Sequence, residues 1–287
     1  MKRLLLIALA LTLSGCALME PSAPPAAQLD GAKLGLADQS TAWPDAQWWR
    51  RYGDPQLDQL VGQALAGSPT MTAAQARLAQ ANASVGRARA PLMPRLDANY
   101  TLNRTHFPNG YIYPPPYGGN DFSDNRLTLN FSYELDFWGK NRNLLKAAVS
   151  QRDAAAADAQ AARNLLAHSV VHSYLNLQNA LAQREVLQEI AKQRKELYDL
   201  TQSRQKAGLD TQVEVKQSES AFASVKVDLT QEDTTIAQLR NQIAALVGAG
   251  PQRGKTITQA RLTAPAGVLP ESVPLALLGR RPDVVAA

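Results

Sequence analysis

The chain has 287 residues, of which 45% are hydrophobic and 19% charged, and its net charge at pH 7 is +5. Without Lys2 and Arg3 of a basic leader, 28 basic residues stand against 25 acidic ones, a net charge of about +3. A charge this mild, with no cluster of Lys and Arg interleaved with aromatic residues, argues against a nucleic-acid partner. Beyond the N-terminus no stretch of about 18 residues stays apolar, so the sequence predicts no transmembrane helix there.

The N-terminus has the pattern of a bacterial signal peptide, with basic residues at 1–3 and an apolar run at 4–13. It ends in Leu13-Ser14-Gly15-Cys16, which resembles the lipobox whose cysteine becomes the lipidated first residue of the mature protein. Cys16 is the only cysteine, so it has no disulfide partner within the chain. We predict a signal peptide at 1–15 and palmitate on Cys16, with Ala17 directing the protein to the outer membrane. A plain signal peptide that happens to contain cysteine is the alternative.

The next segment, 16–53, is predicted to be a lipid-anchored tether followed by a short segment, because residues 21–28 are rich in Pro, Ala and Ser. Two helix starts follow, at Asp54-Pro55 and Ser68-Pro69. Each combines a side chain that can cap a helix with proline at the first helical position. They predict two helices within 55–90, the second ending before Pro91.

Strict alternation of apolar and polar residues predicts two strands, at about 95–105 and 126–136. Between them, residues 106–124 are rich in Pro, Gly, Asn and Tyr and are typical of a loop, so the strands should form a hairpin. A strand of about ten residues is long enough to cross a bilayer when tilted in a barrel. We therefore predict that this hairpin contributes two strands to a transmembrane β-barrel.

The end of the second predicted strand carries two carboxylates and two aromatic residues. Glu134 and Asp136 share the polar face, but acid–base catalysis would require one of them in an apolar setting. We expect them to line the barrel lumen or to make a structural bond at the junction with the following helix. Phe137 and Trp138 suit an aromatic girdle at the membrane interface, with ordinary core packing as the alternative.

Residues 140–207 contain neither glycine nor proline, enough for a helix of roughly 100 Å. Gly208 supplies a stop, and Thr211 with Glu214 forms a capping box that predicts a second helix over 211–247. Both predicted helices carry an apolar stripe at heptad-like steps, which predicts an antiparallel coiled-coil hairpin. The alternative is that the stripes mark the core of a helical bundle, but most of a helix of roughly 100 Å would project beyond a compact domain of this size. The stripe on the long helix comprises Leu166, Val170, Tyr174, Leu177, Leu181, Leu187, Ile190, Leu197 and Leu200. The stripe on the second helix comprises Val215, Phe222, Val225, Leu229, Ile236, Leu239, Ile243 and Leu246.

The last ten residues, 278–287, repeat features of 65–74: Leu, Pro and Ala-Ala recur at a fixed offset of 213 residues. Both segments lie at a helix start marked by proline. We interpret them as a duplication whose second copy ends after one turn. Residues 54–250 then form the first repeat, and 251–287 a linker with the truncated start of the second.

His168 and His172 are four residues apart, the spacing of two metal ligands on one helical face. Two ligands do not make a site, and Ser169 stands where a zinc protease has its glutamate. The sequence contains no phosphate-binding loop, nucleophile elbow or Cys/His cluster. We therefore predict no metal, no cofactor and no enzymatic activity, with a metal hydrolase on the two histidines as the enzymatic alternative.

Several segments, in order along the chain, resemble the TolC-type outer-membrane efflux channels, specifically their lipoprotein branch, the OprM-like proteins. The matching segments are the following: Leu13-Ser14-Gly15-Cys16; Trp48-Trp49 with Tyr52-Gly53-Asp54-Pro55-x-Leu57; Pro94 before the first strand; Ser132-Tyr133-Glu134-Leu135-Asp136-Phe137-Trp138-Gly139; Leu246-Val247-Gly248; and Leu278-x-Arg280-Arg281-Pro282-Asp283-Val284.

The resemblance implies an α+β membrane protein: a homotrimer whose subunits each give four strands to a twelve-stranded barrel and long helices to a periplasmic tunnel. It further implies a passive exit duct in the outer membrane that docks with a periplasmic adaptor protein and an inner-membrane efflux pump. Gly208, Leu209 and Asp210, at the tip of the helical hairpin, are then the expected adaptor contact. The alternative function is a lipid-anchored periplasmic coiled-coil scaffold that forms no pore.

Overall fold

The computed structural model describes residues 45–110, 112–263 and 281–286. These residues belong to one compact unit, Trp43–Val268 with Leu278–Ala287. The predicted signal peptide, Cys16 and the tether up to residue 44 lie outside the described residues. Within the described ranges, no helix combines the length and the apolar character needed to cross a membrane.

Helices make up most of the described chain. In chain order they are α1 (Pro55–Gly67), α2 (Pro69–Arg89), α3 (Lys140–Lys206), α4 (Gln212–Leu246), α5 (Pro251–Lys255) and α6 (Pro282–Ala286). Between α2 and α3, the strands β1 (Arg95–His106) and β2 (Asp121–Ser132) form an antiparallel two-stranded sheet. Short 3-10 helices precede α1 at Trp48–Tyr52 and follow α2 at Ala90–Leu92. The predicted class, a long helical hairpin joined to a strand pair, is confirmed.

Capping side chains explain where α1 and α2 begin. The Asp54 carboxylate accepts a hydrogen bond from the backbone N–H of Gln56 at 2.8 Å, and the Ser68 hydroxyl accepts one from Thr70 at 3.2 Å. A proline follows each capping residue, where its missing N–H leaves no helical bond unmade. As a result, α1 and α2 meet at Ser68 with no intervening loop.

Helix α3 has 67 residues, which corresponds to about 100 Å, and it packs against both α2 and α4. The strand pair connects the end of α2 to the start of α3, whereas the turn at 207–211 brings the start of α4 to the end of α3. With 35 residues, α4 is about half as long as α3. The two shorter helices therefore accompany different parts of the long one.

The hydrophobic core lies around the middle of α3, where α1, the C-terminal half of α4 and the following segment converge. Its largest fully buried side chains are Tyr174, Leu57, Leu60, Leu177, Ile243, Ile257, Val61 and Val170. The segment before α1 also contributes to this core. Trp49 is only 4% exposed, and its indole N–H donates to the Asp58 carboxylate at 2.9 Å.

The predicted apolar stripe of α3 consequently has two parts. Leu166, Val170 and Leu177 belong to the core. In this part of the helix the stripe therefore marks the core of a helical bundle, the alternative interpretation of the pattern. Nearer the tip, Leu197 and Leu200 belong to the same predicted stripe but are 46% and 57% exposed in the described chain. Near the start of α4, in contrast, Val215 and Val225 are buried.

A polar network ties the segment after α5 to this core. The Tyr174 hydroxyl donates to the Asp54 carboxylate and accepts from Gln56 Nε2 at 2.7 Å. The Gln56 amide in turn donates to the Thr258 carbonyl and accepts from the Thr258 N–H, both at 3.1 Å. Gln178 repeats this pairing, with the Thr258 carbonyl at 3.1 Å and the Ala260 N–H at 2.8 Å. Each side-chain amide therefore donates to one backbone carbonyl and accepts from one backbone N–H, and together they fix residues 258–260 against the core.

The second strand is displaced from its predicted position. It spans Asp121–Ser132 rather than 126–136, and the connecting loop is 107–120. Arg95 and Ser132 form the last pair of the ladder, and the residue before Arg95 is Pro94, which has no N–H to donate. The alternation of Tyr133 to Asp136 therefore continues in the sequence after the partner strand has ended.

Helix α6 begins at Pro282, as α2 begins at Pro69, and both helices pack against α3. The two segments that share a sequence pattern thus also share a packing partner.

Candidate functional site

One face of the strand pair is apolar, and it is uncovered. The register brings Leu96 opposite Phe131, Ala98 opposite Leu129 and Tyr100 opposite Leu127. Leu129 and Phe131 are 68% and 71% exposed. A continuous exposed apolar surface of this kind is typical of a protein or membrane contact, including the lipid-facing side of a transmembrane strand.

The opposite face of the pair is polar. It presents Asp97, Asn99, Thr101, Asn103, Asp124, Arg126, Thr128 and Asn130. Its charges are locally paired: Arg95 contacts Asp97 at 2.7 Å, and Arg126 lies 3.8 Å from Asp124. The strand pair can therefore separate an apolar medium from an aqueous one.

The junction between β2 and α3 is held by Asp136. Its carboxylate accepts a hydrogen bond from the backbone N–H of Arg142 at 2.9 Å, and its carbonyl accepts one from the Arg142 guanidinium at 2.9 Å. Gly139 precedes the helix with φ of 74°, a conformation that glycine adopts without strain, and it offers no capping side chain. The Asp136 carboxylate supplies the missing cap and complements the positive end of the α3 dipole.

Glu134 and Asp136 do not share a strand face, because both follow the end of β2 at Ser132. That prediction is wrong. Glu134 is exposed, whereas Asp136 is turned towards the first turn of α3. The structure therefore does not bring the two carboxylates together as a pair.

Phe137 and Trp138 lie next to this junction and pack edge to face, with ring centroids 6.1 Å apart. They are 74% and 71% exposed, so neither ring belongs to the core of the described chain. The exposed apolar surface of the strand pair is thus followed by two large exposed aromatic rings.

The tip of the α3–α4 hairpin is a tight, braced turn. Gly208 has φ of 76°, which allows the Leu209 N–H to reach the Arg204 carbonyl at 2.9 Å. Asp210 accepts two bonds from the Arg204 guanidinium, at 2.8 and 3.1 Å. Thr211 and Glu214 complete the predicted capping box at the start of α4.

The electrostatics of the tip agree with this bracing. The hydrogen bond from the Thr211 side chain, together with backbone N–H groups, lowers the pKa of the Glu214 carboxyl. The bond to Asp210 raises the pKa of the Arg204 guanidinium. Leu209 nevertheless points outward and is 68% exposed. A fixed turn therefore presents a single large apolar side chain.

His168 and His172 stack with ring centroids 6.0 Å apart, and both are exposed. His172 Nε2 lies 3.3 Å from the Asn176 amide. Among residues 45–110, 112–263 and 281–286, no group of three or more His, Cys, Asp and Glu side chains is placed to hold a metal ion.

Comparison with known proteins identifies the family. The profile of the family described as outer membrane efflux protein matches residues 60–249. The chain belongs to this family.

This efflux-family chain is 39% identical, over 99% of its length, to the fusaric acid resistance protein FusA of Burkholderia cepacia. It is 31% identical, over its whole length, to the pyoverdine export outer membrane protein OpmQ of Pseudomonas putida. Among solved structures, the outer membrane protein VceC of Vibrio cholerae is 36% identical and superposes with a TM-score of 0.71 over 85% of the chain. The family is one of outer-membrane channel proteins.

The chain spans 55% of FusA, 62% of OpmQ and 58% of the VceC chain. The resemblance drawn from the sequence motifs is confirmed at the level of family and fold.

Sequence reasoning misses one feature of the strand pair. The predicted alternation of β1 extends only to Leu102, but beyond it Arg104 and His106 occupy the apolar face and both contact Asp121. On the polar face, Phe122 stands opposite Thr105. The sequence does contain this information. If the alternation is continued beyond Leu102, it places Arg104 and His106 on the apolar face, and the same alternation along β2 places Phe122 on the polar face.

Proposed function

We propose that the chain is the outer-membrane lipoprotein component of a tripartite efflux system, a passive exit duct for drugs or other small molecules. The observation that carries this proposal is the direct connection between the apolar-faced strand pair and α3. Such a strand pair suits a wall through the membrane, and a helix of about 100 Å suits a continuation away from it into the periplasm. FusA and OpmQ, whose names refer to fusaric acid resistance and pyoverdine export, support an exported small molecule.

The open edges of the strand pair argue for assembly. Two strands leave unpaired backbone groups at both edges, and a bilayer does not tolerate them. Further strands must therefore pair with both edges before the sheet can lie in a bilayer. We propose the homotrimer that the family resemblance implies, in which each subunit gives four strands, β1 and β2 among them, to a twelve-stranded barrel. In it Glu134 faces the lumen end, and Phe137 and Trp138 lie at the membrane interface.

The partners that we propose are a periplasmic adaptor protein and an inner-membrane efflux pump, which would supply the energy for transport. The adaptor would contact Gly208, Leu209 and Asp210. Two observations support this contact: the turn is fixed by the Arg204–Asp210 ion pair, and the Leu209 side chain is exposed at its apex.

Replacing Leu209 by Ser should weaken adaptor binding by about ten- to hundredfold, because burying a leucine side chain contributes about 1.5–3 kcal/mol. Binding of purified adaptor can be measured by surface plasmon resonance. Val227→Ser is the matched control, since Val227 is equally exposed at 67% but lies on α4 away from the tip. Equal loss in both variants would contradict a contact at the tip.

We further propose that Cys16 is lipidated and anchors the protein in the outer membrane. Cys16→Ser should abolish labelling with radioactive palmitate and leave the precursor uncleaved before residue 16. Labelling can be followed in cells by immunoprecipitation. A mutant that labels as strongly as the parent would contradict the anchor and favour a plain signal peptide.

Deletion of the gene tests the duct itself. Cells that lack it should accumulate several times more of a fluorescent efflux substrate such as ethidium, and the parent gene should restore export. A gene with Leu129→Arg should not restore it, because the charge would face lipid. A periplasmic scaffold has no lipid-facing strand, so full restoration by Leu129→Arg would favour that alternative.

A further inference from the structure

At the loop end of β1 and β2, the two faces exchange their chemistry. The face that is apolar along the rest of the pair becomes charged, since Arg104 Nη2 and His106 Nδ1 both contact the Asp121 carboxylate, at 2.9 and 2.8 Å. The face that is polar along the rest of the pair becomes aromatic, with Phe107 and Phe122. Both changes occur at the loop end of the hairpin, within two residues of the end of β1 and the start of β2.

The register assigns Phe122 to the polar face, and the Phe107 ring lies beside it. Phe122 is paired with Thr105, which belongs to that face. Phe107 is the first residue after β1, so its ring contact with Phe122 rather than the strand register places it. The two ring centroids are 5.7 Å apart.

The connecting loop, residues 107–120, adds two tyrosines on the same side. The Tyr113 ring centroid lies 4.4 Å from that of Phe107, and the Tyr117 centroid lies 5.0 Å from that of Phe122. The tyrosines are 41% and 50% exposed, whereas the phenylalanines are half-buried. We name these four side chains, Phe107, Tyr113, Tyr117 and Phe122, the aromatic collar.

Backbone hydrogen bonds fix the loop that carries the collar. The Phe107 N–H donates to Asn120, at 3.1 Å, and the Phe107 carbonyl accepts from Gly119, at 2.7 Å. Within the loop, the Tyr117 N–H donates to the Pro114 carbonyl at 3.0 Å. The Asn120 amide donates to the Pro116 carbonyl at 2.7 Å. The half-exposed rings are therefore held in position rather than left on a free loop.

The side on which the collar lies distinguishes it from a membrane girdle. Girdle aromatics belong to the lipid-facing side of a strand, the side of Leu129 and Phe131. The collar lies on the other side, and the charged Arg104–His106–Asp121 cluster ends the apolar face at the same level. The collar therefore faces the aqueous side where the apolar surface stops.

We propose that the aromatic collar binds planar aromatic molecules as they leave the duct. This inference rests on the proposed function, because closure of the strands into a barrel makes the polar face an inner wall. The Tyr113 and Tyr117 side chains are 41% and 50% exposed, and this exposed aromatic surface is what a further ring would stack against. The collar is thus a site that favours aromatic over saturated molecules of the same size.

The test uses phenylalanine amide and cyclohexylalanine amide, which have the same charge and nearly the same size. Their dissociation constants for the purified full chain in detergent micelles can be measured by saturation-transfer NMR. The aromatic probe should bind about two- to tenfold more tightly. Replacing Tyr113 and Tyr117 together by Leu should remove this preference, whereas replacing both by Phe should retain it.

Ile112→Ala is the control within the loop, since Ile112 is 76% exposed and outside the collar. It should leave the preference unchanged. Equal affinity of the parent chain for the two probes, or an unchanged preference after the double Leu substitution, would overturn the proposal. The micelle measurement does not require a closed channel. If the chain shows the preference but fails the ethidium test, the binding site is supported and the proposed duct is contradicted.

Discussion

Arginine at Leu129 is expected to destabilise the membrane-inserted protein by about 2–4 kcal/mol, the cost of a charge on the lipid face near the bilayer midplane. Leu129 stands opposite Ala98, with apolar pairs on both sides of it, so the arginine could not reach water along the strand. The free energy of unfolding can be measured by urea titration of protein folded in lipid vesicles. Phe131→Arg should behave in the same way.

Asn130→Arg is the matched control, because it places the same side chain one residue away on the polar face. Its cost should be small. If all three arginine variants unfolded at the same urea concentration, the two faces of the strand pair would not contact different media, and the membrane assignment would fail.

Tyr174→Ala is expected to have the largest effect in the helical region, about 3–5 kcal/mol, because it leaves a cavity where a large ring is fully buried. The ring lies at the convergence of α1, α3 and the segment after α5. Urea unfolding followed by circular dichroism at 222 nm measures the change. Tyr198→Ala, on the same helix but outside the core cluster, should cost much less.

Tyr174→Phe separates the hydroxyl from the ring. It keeps the packing but removes the hydrogen bond to the Asp54 carboxylate, so it should cost about 1–3 kcal/mol. Burial, together with this bond to Asp54, raises the pKa of the Tyr174 phenol, so the hydroxyl stays protonated and able to donate. A Phe variant as unstable as the Ala variant would show that the polar network rather than the ring holds this part of the core.

The ends of the helices could be predicted from the sequence because they depend on neighbouring residues. The Asp54 and Ser68 caps with their prolines, and the Thr211–Glu214 capping box, are local hydrogen bonds written into three or four consecutive positions. The same holds for the length of α3, which follows from the absence of glycine and proline.

The ends of the strands could not be predicted in the same way. The alternation of β2 continues beyond Ser132, but a strand needs a partner, and β1 begins only at Arg95 after Pro94. The role of Asp136 depends on this end, because its carboxylate is available to cap α3 only outside the ladder. Pairing between distant segments therefore decided which residues are strand and which are junction.

The candidate sites also combine features that neighbouring residues determine with features that depend on distant segments. The alternation along β1 and β2 predicted an apolar and a polar face, and the heptad-like spacing predicted an antiparallel helical hairpin. Only the tertiary structure decided that two positions of the same α3 stripe differ in burial, with Val170 in the core and Leu200 exposed. It also decided that the loop rings of Tyr113 and Tyr117 rest on the polar face. A periodic pattern specifies which side chains share a face, whereas burial depends on which other segments reach that face, and these segments are distant in the sequence.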